Sequence, residues 1–192
     1  MSFTTVAAVT TFLNKETLTA FETNIVSMLI PFVDGVINNY CGTNLLSTDY
    51  VEKRFDGTGG DTLDLGVYPI NTVTSVKFRE DATTFTDVTT SCYFENNDGL
   101  LRLDEYADVT TFTSGTRNVF VTFNAGYVDG SVPSDLSYAA SYLVAINFKR
   151  IANEYLGIEE GKFSEVDFKF DPLELPLLVK RVLDRYRVVA IY

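Results

Sequence analysis

Between Leu136 and Ala152 only Ser137, Ser141, Asn147, Lys149 and Arg150 are neither apolar nor aromatic. A helix that is apolar almost all the way round cannot rest on a surface with one side covered. It must be a central core helix, or be wedged between its own domain and a neighbouring subunit. Leu136, Ala140, Leu143, Val144, Phe148 and Ile151 are its candidate subunit-subunit contacts. Pro133 suits the first turn, Asp135 sits near the positive end of the helix dipole, and the pattern lasts to about Tyr155 before Gly157.

The rest of the chain reads as helix, then sheet, then helix. Over residues 17–40, Leu18, Phe21, Ile25, Met28, Leu29, Phe32, Val33, Val36 and Ile37 follow helical spacing up to a stop at Cys41-Gly42. Pro31 and Gly35 interrupt it, so a kink or restart is expected near Ile30. From Tyr50 to Ala125 the period changes to two. Thr72, Thr74, Val76 and Phe78 alternate with Val73, Ser75, Lys77 and Arg79, and Val119, Val121 and Phe123 alternate with Asn118, Phe120 and Thr122. Asp56-Gly57, Gly59-Gly60 and Asp98-Gly99 are hairpin candidates, so about six short antiparallel strands are expected. Residues 157–170 have no clear period and read as a loop or linker. A last helix begins near Asp171 or Pro176, with Leu175, Val179, Val182, Leu183 and Tyr186 on one face.

The fold class is therefore α+β, with helices before and after an antiparallel β region. The expected division is an N-terminal helical segment over residues 1–49, a β-rich insertion over 50–126, and a segment over 127–192 with the central and C-terminal helices and a terminal arm. Residues 1–49 and 127–192 are expected to form one helical domain.

Composition narrows the function. Fifteen Lys and Arg against 26 Asp and Glu give a net charge of -11, so the cations that capture a phosphate backbone by counterion release are too few. Residues 1–132 carry 7 basic and 17 acidic side chains, whereas Pro176 to Tyr192 holds Lys180, Arg181, Arg185 and Arg187 against Asp184 alone. The chain ends Val188-Val189-Ala190-Ile191-Tyr192, apolar and β-prone. Cys41 and Cys92 lack the spacing of a disulfide framework or zinc site. No signal-peptide pattern opens the chain, and no apolar run reaches the roughly 18–20 residues of a spanning helix, which reads as a cytoplasm-like setting without a membrane.

Catalytic equipment is sparse. With no histidine, the commonest general base and metal ligand is missing. The pairs Asp61/Asp64 and Asp104/Glu105 would have to face each other across a cleft to act as glycosidase acids. Gly57-Thr58-Gly59-Gly60 lacks the Lys-Ser/Thr of a phosphate loop and reads as a turn. Most of the 11 Tyr and 15 Phe, and Met28, read as core packing. No enzyme activity, metal or cofactor is expected.

Several segments carry weight through their order and spacing. They are Ile37-Asn38-Asn39-Tyr40-Cys41-Gly42-Thr43-Asn44-Leu45 at a helix end; Glu52 to Leu65 with Tyr68-Pro69-Ile70 and Val73-Thr74-Ser75-Val76; and Gly99-Leu100-Leu101-Arg102-Leu103. The sharpest is Asn118-Val119-Phe120-Val121-Thr122-Phe123-Asn124-Ala125-Gly126-Tyr127 followed by Val132-Pro133-Ser134-Asp135-Leu136. Taken together, over roughly residues 17–155, these segments resemble the head-tail connector (adaptor, or DNA-packaging connector) family of tailed bacteriophages, and the resemblance implies a ring-forming helical scaffold with an inserted antiparallel β region.

It implies a structural protein of the virion neck, assembled in the host cytoplasm, whose ring, usually twelvefold, sits below the portal protein. The ring offers a platform to the next neck or tail completion protein and passes double-stranded genomic DNA without sequence-specific binding. Some of Asp56, Asp61, Asp64, Asp104, Glu105 and Asp108 are expected at the lumen or its rims, where a sliding duplex should not be gripped. Arg185, Arg187, Val188, Val189, Ala190, Ile191 and Tyr192 are expected as a portal-docking arm combining charge steering with a short strand or groove-filling segment. The alternatives are another neck or tail completion protein, which a pull-down with portal rings would separate, and a carbohydrate- or receptor-binding virion module, which glycan binding by the isolated subunit would support.

Overall fold

The computed structural model describes residues 1–81, 83–95, 98–152, 160–163, 166–169 and 175–188. The chain forms two units: a helical one, residues 2–42 with 132–192, and a β unit, residues 43–131 with Met1.

The helical unit starts with an element absent from the sequence reading, α1 (Val6–Phe12), capped by Thr5, whose Oγ1 accepts the Ala8 amide. Helix α2 (Ala20–Cys41) opens with a capping box. The Thr19 amide donates to Glu22 Oε2 at 2.9 Å and the Glu22 amide to Thr19 Oγ1 at 3.3 Å, satisfying two donors that the helix itself cannot. Gly42, at φ 72°, ends it. The expected restart near Ile30 is absent, and the helix runs through Pro31. Pro31 and Ser27, whose carbonyl loses its donor, are both exposed, so solvent can replace the missing bond.

Helix α3 (Ser134–Ala152) packs against α1, α2 and α4 (Leu177–Leu183). Leu136, Ala140, Leu143, Val144 and Phe148 are buried by their own chain and Ile151 is half-buried, because three helices already surround α3. Phe3 is buried too, with its amide donating to Asp34 Oδ1 at 3.1 Å, and the Thr4 and Ser141 hydroxyls meet at 2.7 Å. The chain start is thus tied to both long helices. Pro176 takes the N-cap position of α4, which buries Val179 and Leu183. The stretch read as a linker contains an antiparallel pair, Glu160–Phe163 (β8) with Val166–Lys169 (β9). The strands have four residues each, and only Val166-Asp167-Phe168-Lys169 alternates, too short a run to stand out in the sequence.

The β unit has two antiparallel sheets. Strands Thr48–Gly57 (β1), Ile70–Arg79 (β3), Phe85–Asp87 (β4) and Gly115–Ala125 (β7) form one in the order β1-β7-β3-β4. Thr62–Asp64 (β2), Cys92–Phe94 (β5) and Leu100–Leu103 (β6) form the other, in the order β2-β6-β5. Leu63, Leu101 and Leu103 from the second meet Val76, Val121 and Phe123 from the first in one core. Asp98-Gly99 lies between the paired β5 and β6, with Asp98 Oδ1 accepting the Leu100 amide. Asp56-Gly57 is not a hairpin turn: Gly57 ends β1 opposite Gly115, and β1 and β2 lie in different sheets. Gly59-Gly60 belongs to that crossing, held by reciprocal amide bonds with Phe112 of 2.8 and 2.7 Å.

Candidate interface surfaces

Helix α2 has two apolar faces. Val26, Ile30, Val33, Ile37 and Cys41 are buried, as is Asp34. On the other side Phe21 is 74% exposed, Met28 74% and Phe32 59%, with Ile25 and Leu29 partly open beside them. The sequence reading placed Met28 in the core, and the structure places it in solvent. Phe21, Ile25, Met28 and Phe32 are spaced by four, three and four residues, the interval of a helix-packing seam. By length and composition α2 is also apolar enough to cross a membrane, contrary to the sequence count, but its other face is packed in the helical unit around an acid. Burial raises the Asp34 pKa, partly offset by the Phe3 amide.

Helix α4 exposes Leu177 (65%) and Leu178 (49%), with Arg181 also exposed. At 100° per residue these three share the side opposite Val179 and Leu183. After α4 the chain turns back on its own unit. Tyr186 Oη donates to Asp135 Oδ1 at 2.7 Å, Arg185 lies 3.7 Å from the same carboxylate, Arg187 stands over the Tyr40 ring, and the Val188 amide donates to the Cys41 carbonyl at 2.9 Å. The base of the expected arm, through Val188, is therefore anchored. Val189, Ala190, Ile191 and Tyr192 lie outside the described residues.

The β unit carries 6 basic and 14 acidic side chains. Asp56, Asp61, Asp64, Asp104, Glu105 and Asp108 are all exposed on it. Asp56 accepts the Arg117 amide and Asp104 the Tyr106 amide, so some of these acids also brace turns. A small cavity of about 270 Å³ is lined by Glu52, Lys77, Phe85, Asp87 and Phe120. Lys53 is caged by Tyr50, Phe55 and Phe123 at 4.9 to 5.9 Å and donates to the Leu65 carbonyl, and burial lowers its pKa. The thiols of Cys41 and Cys92 are free, each pushed up to about 11 by burial. Among the described residues no group of three or more Cys, Asp and Glu side chains is gathered to hold a metal.

Residues 2–189 match the head completion protein family. The chain belongs to that family. Among solved structures, this head completion protein is similar to a chain in the neck of an empty gene transfer agent particle computed with C6 symmetry, with 19% identity and a TM-score of 0.56, over 97% of this chain and 90% of that one. A chain in the virion of a native gene transfer agent particle matches at 18% identity and TM-score 0.57 over the same shares. One in a native particle neck computed with C12 symmetry matches at 19% and 0.53, over 97% and 91%. At such identities the likeness establishes a shared fold. No curated protein matches the sequence. Sequence reasoning missed the exposed seam on α2, although its four-three-four spacing was visible. A periodic apolar stripe looks alike whether a helix's own domain or a foreign surface covers it.

Proposed function

We propose that this head completion protein is a structural subunit of the virion neck that forms a ring below the portal protein, with a platform for the next neck or tail protein and a channel for double-stranded DNA. The observation that carries this reading is the family match over residues 2–189, joined to a fold shared with chains of rotationally symmetric necks. The protein acts through surfaces, not bond chemistry. In a ring every subunit repeats one heterologous contact, so a modest patch is multiplied around the circle. Some of the exposed acids Asp56, Asp61, Asp64, Asp104, Glu105 and Asp108 belong at the lumen or its rims, where like charge keeps the duplex sliding. Arg185, Arg187 and Val188 to Tyr192 form the portal-docking arm, whose base is held on its own unit through Val188.

Electron microscopy of the protein mixed with portal rings tests the assembly. A ring of subunits stacked on the portal is expected, and its absence at saturating concentration overturns the proposal. A chain lacking 189–192 should stay folded, because contacts through Val188 already hold the segment after α4 on its unit, yet bind portal rings at least tenfold more weakly. Unchanged binding removes the arm from the mechanism.

A further inference from the structure

Three features outside the proposed channel and arm invite explanation: the cavity beside Phe85 and Phe120, the caged Lys53, and the exposed seam of α2. The cavity mixes two acids with a lysine between aromatic walls and selects no ligand class. Lys53 is already satisfied by its rings and the Leu65 carbonyl. The seam differs, since large apolar side chains stand in solvent on a helix whose opposite face is already used for folding.

We propose that the seam of α2, formed by Phe21, Ile25, Met28 and Phe32, packs against Leu177 and Leu178 of α4 on a second copy of this chain. The inference rests on the ring reading and deepens it by naming the two halves of the subunit contact. Three observations select a second copy. A heterologous contact requires two different patches on each subunit. Among the described residues of the helical unit, the large apolar side chains left exposed are Phe21, Met28 and Phe32 on α2, Leu177 and Leu178 on α4, and Tyr138. Tyr138 already meets Phe12 at 5.3 Å and Tyr142 at 6.5 Å, which leaves one patch on α2 and one on α4. A foreign partner seated on either would leave the other bare in every copy, whereas one copy-to-copy contact covers both.

The charges favour the unlike pairing. Helix α4 contributes Lys180 and Arg181 and no acid, so two copies of α4 repel each other. Helix α2 holds no Lys or Arg, its Asp34 is buried and its Glu22 is already paired with Lys15, so the seam is an apolar strip without a surplus of either sign. A lipid surface fits α2 less well, because Lys15, beside the start of the helix, is held by Glu22 and is not free to meet phosphate headgroups.

Cysteine cross-linking in the full-length protein tests this. Subunits carrying Met28→Cys are mixed with subunits carrying Leu178→Cys, at concentrations and with portal rings that support assembly, and are mildly oxidised beside the wild type, whose own thiols give the background. Both substituted side chains are exposed, so folding should be retained, and circular dichroism checks it. Covalent heterodimers should form in the mixture and not in either variant alone, and a chain with both substitutions should give a ladder of higher multimers. Dimers from Met28→Cys alone would mean that the seam meets its own kind and would overturn the pairing. Rings seen by microscopy without the heterodimer overturn the surface assignment while leaving the ring reading intact, whereas no rings under any condition removes both. As a second measurement, Met28→Lys with Phe32→Lys should weaken assembly at least tenfold with an unchanged fold. Undiminished assembly, or flotation of the wild type with neutral phosphatidylcholine vesicles that this double variant loses, overturns the proposal.

Discussion

Gly126 shows how much one position in the β unit is constrained. It sits at φ +106°, and a Cβ there would lie 2.5 Å from the carbonyl carbon and oxygen of Leu46. Its amide donates to the Pro69 carbonyl at 2.8 Å, so the backbone cannot swing away without losing a bond. Gly126→Ala should therefore destabilise the protein by about 2 kcal/mol or more, combining left-handed strain with the clash. Urea unfolding would read this as a lower midpoint, and a midpoint within experimental error of the wild type would refute it. Asp34 is constrained electrostatically. Burial raises its pKa in the folded protein, so the native state holds the proton more tightly than the unfolded chain. Its contribution to stability is fully present below the ordinary aspartate value of about 4 and is lost as pH rises through the raised native pKa. Asp34→Asn keeps an oxygen for the Phe3 amide and removes that loss. The variant's Tm should therefore gain on the wild type between pH 4 and pH 7, and a shift in the opposite direction would contradict this reading.

Among the elements, α2 and α3 exchange the roles that hydrophobicity alone suggests. Helix α3 is apolar nearly all round and serves the subunit's own core, while α2 looks like an ordinary amphipathic helix and carries the exposed seam. Leu143→Ala should cost about 2–5 kcal/mol, as expected for a truncated core leucine. Met28→Ala should stay within about 0.5 kcal/mol, as at a surface position. Equal losses at the two sites, measured by denaturant unfolding, would show that the seam is covered within a single subunit. The end of α2 was readable because its signal, Gly42, is local, whereas the box of Thr19 with Glu22 that opens the helix went unread. Helix α1 has only seven residues and was passed over, since so short a helix gives little periodicity to detect.

Across the protein, two units with separate interiors imply two sets of opening motions. Native-state hydrogen exchange should show Leu101→Ala lowering protection mainly in the β unit and Leu143→Ala mainly in the helical unit. Uniform loss of protection across both units in either variant would argue for one cooperative block. Residue identity, period and near neighbours were enough to reach the α+β class and the glycine stop of α2, because each of these is written within a few positions along the chain. Which apolar surplus stays outside depends instead on long-range packing. Leu143 and Met28 are alike in a pattern of apolar positions, and their fates diverge because α1, α2 and α4 close around α3, while nothing in the subunit's described residues covers the outer face of α2.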